Sequence, residues 1–132
     1  EAITIFEKKK VKVVVLAGFM RILTPKFINK YKNKILNIHP SLLPAFPGAH
    51  AHRDALQHGA KKSGCTAHLV DEGVDSGPII MQASVEIDKN ETEDSLSKKI
   101  LVHEHQILPK ALELLCSGNL VLEGNKVRII AD

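Results

Sequence analysis

The chain has 132 residues, of which 44% are hydrophobic and 25% are charged, and its net charge at pH 7 is +3. This composition excludes a disordered or fibrous chain and is typical of one globular domain, which we expect to span residues 1–132. The chain has no Trp and few other aromatic residues to stack on bases, and it has no apolar run of membrane-spanning length, so we expect a cytoplasmic location with neither nucleic acid nor membrane as a partner.

The N-terminal third of the sequence predicts a strand, a helix and a second strand. We expect residues 1–10 to finish a helix, and the β-branched run at 11–17 predicts a strand that is buried on both faces. Thr24 and Pro25 are good residues to begin a helix, which we expect to run to about residue 31. Residues 34–38 form the next predicted strand. This order implies a right-handed parallel crossover, which places ligand chemistry beyond the carboxyl ends of the strands.

The remaining sequence predicts loops, two more strands and a long helix. Three prolines and a glycine within residues 40–48 indicate a rigid loop there. From Thr92, apolar residues recur at helical spacing until just before Gly118, and Pro109 should bend this helix. The other predicted elements are a helix at 51–58, strands at 66–70 and 79–85 around a turn at 71–78, and a terminal hairpin of 120–122 with 127–129.

Three polar side chains next to these strands suggest acyl-transfer chemistry. Asn37 and His39 are two residues apart at the end of a predicted strand, so their side chains point to the same side. An amide and an imidazolium can both donate to a developing oxyanion. Asp75, in the later turn, is a carboxylate that would favour the protonated, donating form of His39. We therefore expect Asn37, His39 and Asp75 to be catalytic.

Metal binding is not expected. The pair His50 and His52 and the pair His103 and His105 each have one residue between them, and such a pair converges on one ion only from a strand. Because His103 and His105 lie in the predicted long helix, their side chains diverge.

Nucleophilic and phosphate-binding motifs are also missing. Ser41 lacks the G-x-S-x-G turn, and Cys65 lies in the middle of an apparent strand, so covalent catalysis is disfavoured. No glycine-rich phosphate loop is present.

Three motifs together resemble the phosphoribosylglycinamide formyltransferases, from about residue 11 to the C-terminus. They are Ala17-Gly18-Phe19-Met20-Arg21-Ile22-Leu23, the segment from Asn37-Ile38-His39-Pro40-Ser41 to Pro47-Gly48-x-His50-x-His52-Arg53, and residues 71–78. The resemblance implies a Rossmann-like formyltransferase fold with a mostly parallel sheet, flanking helices, a long C-terminal helix and a terminal hairpin. Family members begin with further β/α units and a phosphate loop that this sequence lacks, so we expect a C-terminal portion of the catalytic domain.

The resemblance also implies an activity and its ligands. A formyl group would pass from 10-formyltetrahydrofolate to the amine of glycinamide ribonucleotide, without a metal or covalent intermediate. Asn37 and protonated His39 would steady the oxyanion, Asp75 would tune His39 and order a water, and Glu104 would contact the ribonucleotide. The residues expected to bind the folate are Met20, Arg21, Ile22, Leu23, Asn37, Asp71, Glu72, Gly73, Val74 and Asp75.

Three alternatives remain open at this stage. The same three catalytic residues could hydrolyse 10-formyltetrahydrofolate with water as the acceptor. Methionyl-tRNA formyltransferases are related, but they usually carry an Arg-rich loop where this chain has Ala45-Phe46-Pro47-Gly48. A non-enzymatic alternative is an inactive folate-binding half-domain.

A sheet edge left exposed in a partial domain would favour self-association.

Overall fold

The computed structural model describes residues 2–8, 11–17, 25–31, 34–48, 50–71, 77–117, 120–123 and 126–129. Within these ranges the chain forms a five-stranded sheet, a two-stranded sheet and three helices. In chain order the elements are β1 (Ala2–Lys8), β2 (Val11–Ala17), α1 (Pro25–Lys30), β3 (Ile35–His39), α2 (Ala51–Gln57), β4 (Lys62–Leu69), β5 (Ile79–Glu86), α3 (Glu93–Cys116), β6 (Leu120–Glu123) and β7 (Lys126–Ile129). The α/β class, the long helix α3 and the terminal hairpin β6–β7 are confirmed.

The larger sheet is mixed rather than mostly parallel. Its strand order is β1-β2-β3-β4-β5, and of its four pairings in the described residues only β2 with β3 is parallel. Helix α1 lies between those two strands in sequence, as the predicted crossover requires. The segments between β1 and β2 and between β4 and β5 are shorter than the dozen residues that a parallel crossover needs, so those pairs are antiparallel. The expectation of a mostly parallel sheet is therefore wrong for these strands.

Ala2–Lys8 forms a strand, so the expected helix over residues 1–10 is wrong for the residues described there. β1 pairs with β2 over seven positions, from Ala2 opposite Ala17 to Lys8 opposite Val11. Ile3, Ile5 and neighbouring Phe6 are residue types that favour extended backbone on a sheet. Only two residues separate the strands, which is the length of a tight hairpin connection. Local β propensity and hairpin pairing therefore decide this segment.

The end of β3 lies one residue later than the sequence predicts. His39 is still in the strand because it pairs with Thr66 of β4, and β4 itself begins at Lys62 rather than at Thr66. His39 is thus a strand residue with 5% of its surface exposed, not a loop residue. The remaining helices agree with expectation: α1 begins at Pro25, and α2 begins at Ala51.

The two faces of the larger sheet differ in chemistry. On one face an apolar core packs against α3; its buried members are Val15, Leu36, Ile38, Cys65, Ala67, Leu69, Ile80, Leu96, Ile100, Ile107, Ala111 and Cys116. On the other face, Val14, Leu16 and Ile35 pack against Ile28 of α1. Since side chains alternate along a strand, Asn37 and His39 share this second face with Ile35. The polar pair therefore points away from α3.

Helix α3 begins with a capping box. The Thr92 hydroxyl accepts from the Ser95 amide at 3.1 Å, and the Ser95 hydroxyl accepts from the Thr92 amide at 3.0 Å. The helix continues through Pro109 to Cys116, which confirms its expected start and end, while the bend at Pro109 stays a prediction. Among the described residues, no helix combines the length and the apolar character needed to cross a bilayer.

Candidate active site

Asn37 and His39 lie at the carboxyl end of β3, beside the end of β2. In the parallel register, Leu16 of β2 is opposite Asn37, and β2 ends one residue later at Ala17. On the other side, β4 places His68 opposite Asn37 and Thr66 opposite His39. Residues directly opposite each other share a face, so Asn37, His39, Thr66 and His68 form one polar group on the face away from α3.

The His39 ring is held by the backbone of the loop that follows it. Its Nε2 atom lies 2.9 Å from the carbonyl oxygen of Phe46, and the ring is buried. A carbonyl only accepts, so Nε2 must carry a hydrogen in this contact. Phe46 has a φ of 50°, a left-handed conformation that non-glycine residues rarely adopt and that requires support from the surrounding loop.

Ser41 and Thr66 supply that support. The Ser41 hydroxyl donates to the carbonyl oxygens of Ala45 at 2.5 Å and Phe46 at 3.2 Å. The buried Thr66 hydroxyl donates to the Ser41 carbonyl at 2.7 Å and accepts from the Leu43 amide at 3.1 Å. Because the Ser41 proton is directed at backbone carbonyls, these contacts give Ser41 a structural role and do not pair it with a base for nucleophilic attack.

Replacing Thr66 by valine is expected to lower the free energy of unfolding by about 1–3 kcal/mol, because the change keeps the side-chain shape and leaves the Leu43 amide and the Ser41 carbonyl without their partner. The measurement is the urea midpoint, together with amide hydrogen exchange at Leu43. Thr66→Ser is the matched control, since it retains the hydroxyl. Fast exchange at Leu43 in the serine variant as well would contradict this assignment.

The Asn37 carboxamide contacts the ring of His68 across the β3–β4 pair. Asn37 Nδ2 lies 3.4 Å from His68 Nε2, and His68 Nδ1 lies 3.1 Å from the carbonyl oxygen of Leu69. His68 is 2% exposed, whereas Asn37 is only partly buried. Asn37 is therefore a partly buried side chain in contact with a buried ring.

The other expected site residues are only partly described. Met20, Arg21, Ile22, Leu23, Glu72, Gly73, Val74 and Asp75 lie outside the described residues. Asp71 is described and follows β4; the Val70 amide donates to the carbonyl of Ile35 at 2.9 Å, so Asp71 lies near the beginning of β3. His39 is at the other end of that strand, and at about 3.3 Å per residue the strand separates it from Ile35 by about 13 Å. The structure thus brings Asn37 and His39 together but does not bring Asp71 beside His39.

Glu104 occupies a position that faces the sheet. It falls between Ile100 and Ile107 on the apolar stripe of α3 and is half-buried, and burial raises the pKa of its carboxyl group. Burial, with a further contribution from Glu104, also raises the pKa of the Cys65 thiol to about 11, so Cys65 is protonated and unreactive at neutral pH. The apolar core that packs against α3 lies on the opposite face of the sheet from Asn37 and His39.

Replacing Glu104 by glutamine is expected to stabilise the protein at pH 8 and to have little effect at pH 4. A carboxyl group whose pKa is raised by folding stabilises the native state less as pH rises above its ordinary value of 4.5, because the buried charge is unfavourable. Urea midpoints at the two pH values measure the effect. The exposed Glu86→Gln serves as the control; an equal change for both variants, or a larger gain for Glu104→Gln at pH 4, would contradict the prediction.

His52, which lies on α2, is a second histidine near His39. Burial lowers the pKa of His52, Glu93 acts to raise it, and His39 adds a smaller lowering effect. The Nε2 atom of His52 is buried and has no hydrogen-bond partner within the described part of the chain. Among the described residues, no group of three or more His, Cys, Asp or Glu side chains is arranged to hold a metal ion.

Thr66 and His68 are the site residues that sequence patterns do not single out. The available signal is the alternation Thr66-Ala67-His68-Leu69, in which polar residues occupy every second position of a strand whose other face is apolar. That alternation implies a polar face, but only the antiparallel register with β3 places it opposite Asn37 and His39. The group as a whole offers an amide and an imidazole for hydrogen bonding to a substrate oxygen.

A family model described as Formyl transferase matches residues 1–112. Over 111 residues the chain is 57% identical to the trifunctional purine biosynthetic protein adenosine-3 of Chironomus tentans, covering 84% of this chain and 8% of that protein. It is 44% identical over 113 residues to the phosphoribosylglycinamide formyltransferase of Escherichia coli, covering 86% of this chain and 53% of that enzyme. The chain thus spans about half the length of the single-function relative.

Solved structures of related proteins are also similar to this chain. Glycinamide ribonucleotide transformylase 1 from Symbiobacterium toebii has a TM-score of 0.89 and 51% identity, over 90% of this chain and 56% of that one. A formyltetrahydrofolate deformylase from Pseudomonas syringae pv. tomato has a TM-score of 0.85 and 33% identity, over 90% of this chain and 40% of that one. Both share the architecture of this chain.

Proposed function

This chain belongs to the formyl transferase family, and we propose that it carries the transfer centre of a phosphoribosylglycinamide formyltransferase. The reaction would move the formyl group of 10-formyltetrahydrofolate to the amine of glycinamide ribonucleotide, in the cytoplasm. The observation that carries the proposal is the placement of Asn37 and His39 on one face at the carboxyl end of β3, supported by β4. Two hydrogen-bond donors on one face at a strand end, of which Asn37 is partly exposed, suit a substrate carbonyl.

The proposed chemistry is direct attack without a covalent enzyme intermediate. The substrate amine forms a bond to the formyl carbon, and the carbonyl oxygen becomes an oxyanion that accepts hydrogen bonds from Asn37 and from protonated His39. The bond from that carbon to N10 of the folate then breaks, and the proton lost by the amine is delivered to N10. By the family resemblance, Asp75 orders a water that relays this proton. In the structure, Nε2 of His39 donates to the Phe46 carbonyl, which orients the ring.

The ligand sites complete the proposal. The folate would bind where β2 ends, through Met20, Arg21, Ile22 and Leu23, and through residues 71–75. Glu104 would contact the ribonucleotide. The observation in favour of this role is that its carboxylate is half-buried on α3, where the charge costs stability. An increased KM for the ribonucleotide in Glu104→Gln, with KM for the folate unchanged, would support this assignment.

The test is incubation of the purified chain with 10-formyltetrahydrofolate, with and without glycinamide ribonucleotide, followed by mass spectrometry of both products. Formylated ribonucleotide formed in proportion to deformylated folate is the expected result. His39→Gln is the control for enzyme-dependent turnover. Binding of the folate without any product would instead identify a binding half-domain.

Hydrolysis of 10-formyltetrahydrofolate is the second candidate, favoured by the similarity to the Pseudomonas deformylase. Water would replace the amine at the same Asn37 and His39. Formate released at equal rates with and without the ribonucleotide would establish this alternative.

We also expect self-association, because β1 and β5 form the two edges of the described sheet. Light scattering across a concentration series measures it, and a monodisperse monomer at all concentrations would contradict the expectation.

A further inference from the structure

We propose that His68 is a positioning residue that sets the orientation of the Asn37 carboxamide, so that an N–H group and not the carbonyl oxygen is presented to the reacting formyl group. The proposal rests on the proposed function for its role in the reaction. Its structural part, the locked orientation of Asn37, is testable without turnover.

The two side chains are held in contact by strand register. Asn37 and His68 are directly opposite each other in the antiparallel β3–β4 pair, and the facing atoms are Asn37 Nδ2 and His68 Nε2, 3.4 Å apart. His68 is 2% exposed and lies in the middle of the sheet between Ala67 and Leu69. Because the His68 ring is buried and held by its own strand, it can fix the orientation of the partly buried Asn37 amide.

Two contacts of His68 within the described residues indicate where its proton lies. The Leu69 carbonyl oxygen, 3.1 Å from Nδ1, only accepts, so Nδ1 must carry the hydrogen. The Asn37 NH₂ group only donates, so Nε2 must present its lone pair. The two requirements are met together only by the neutral ring with hydrogen on Nδ1. The Leu69 carbonyl therefore dictates the tautomer, and the tautomer dictates which end of the Asn37 amide faces His68.

This orientation matters to an oxyanion site. One N–H of the Asn37 amide is directed at His68, which fixes the plane of the amide and leaves its second N–H as a donor. A carboxamide turned by 180° would place its oxygen where the NH₂ group is now and would change which group meets the substrate. An oxygen directed at a developing oxyanion would repel it instead of stabilising it.

Three substitutions separate positioning from packing. Glutamine places a carbonyl oxygen near the Nε2 position and can accept from Asn37, whereas asparagine reaches only the Nδ1 position. Phenylalanine fills the volume and offers neither group. His68→Gln is therefore the conservative variant, and His103→Gln, on α3 and outside the site, is the matched control. A purely structural role predicts that phenylalanine is tolerated at least as well as glutamine.

The first experiment is ¹⁵N NMR of the histidine rings and asparagine side chains in the wild-type chain. A protonated Nδ1, an unprotonated Nε2 and an Asn37 amide signal shifted from that of a free carboxamide are expected. A doubly protonated ring, or hydrogen on Nε2 alone, would overturn the proposal. The Asn37 shift should persist in His68→Gln and be lost in His68→Phe and His68→Asn.

The second experiment compares kcat and KM among the same variants. His68→Phe and His68→Asn should lower kcat about tenfold, the value of roughly one lost hydrogen bond, with KM unchanged and with activity restored in His68→Gln. Equal rates in the glutamine, asparagine and phenylalanine variants would overturn the positioning role. If the wild-type chain transfers no formyl group, the proposed function fails, while the ring tautomer and the Asn37 signal still decide whether His68 locks the amide.

Discussion

Replacing His39 by glutamine is expected to lower kcat for formyl transfer by about 10²- to 10⁴-fold while leaving the fold intact. The imidazole is the group that can carry a positive charge next to the developing oxyanion, and an amide cannot. Glutamine can still place an N–H near the position of Nε2 and donate to the Phe46 carbonyl, which lies 2.9 Å from that atom. The loss should therefore be catalytic and not the result of a displaced loop.

The choice of variants separates these two causes. His39→Ala removes the contact with Phe46 as well, so it should lower the urea midpoint, whereas His39→Gln should retain most of the stability. His103→Gln controls for the substitution itself. Turnover of His39→Gln within about twofold of wild type would remove His39 from the catalytic role, because general acid–base groups contribute far more than that.

Local patterns predicted the parts of the fold that depend on neighbouring residues. The strand at Val11–Ala17, the start of α1 at Pro25 and the capped helix α3 each follow from spacing and capping preferences within a few residues. The error at β1 arose because a short segment rich in Ile and Phe has no decisive period, and its state is settled by pairing with β2. The extra residue at the end of β3 likewise comes from pairing with β4.

In the candidate site, too, local patterns predict some features and strand pairing decides the others. Period-two alternation was enough to place Asn37 and His39 on one face, because the two residues are adjacent positions of one strand face. The ring of His68 lies 31 residues from Asn37 along the chain, and nothing local specifies which residue of β3 it opposes. The expectation that Glu104 contacts the ribonucleotide comes from family resemblance and stays a prediction, while its position between Ile100 and Ile107 on the core-facing stripe explains its burial.

Replacing Gly64 by alanine is expected to lower the free energy of unfolding by about 3 kcal/mol or more, and the melting temperature by about 10 °C. A Cβ atom at Gly64 would lie 2.0 Å from the Ala83 carbonyl oxygen and 2.9 Å from both Leu42 Cδ2 and Ser84 Cα. Gly64 is opposite Ser84 in the β4–β5 pair, so two of these neighbours are backbone atoms that can move only if the strands separate.

The same substitution at Gly59 is the matched control. Gly59 has a φ of 73°, and no atom lies within 4 Å of the position that a Cβ atom would take there, so alanine is expected to cost only the left-handed backbone, about 1 kcal/mol. Gly64→Ala should also speed hydrogen exchange in the loop at 40–48, since Leu42 belongs to the segment that carries the Phe46 carbonyl to His39. Equal losses of stability in the two variants would show that β5 and Leu42 move to make room for the added methyl group. Unchanged exchange in the loop would show that close packing at Gly64 does not fix the position of His39.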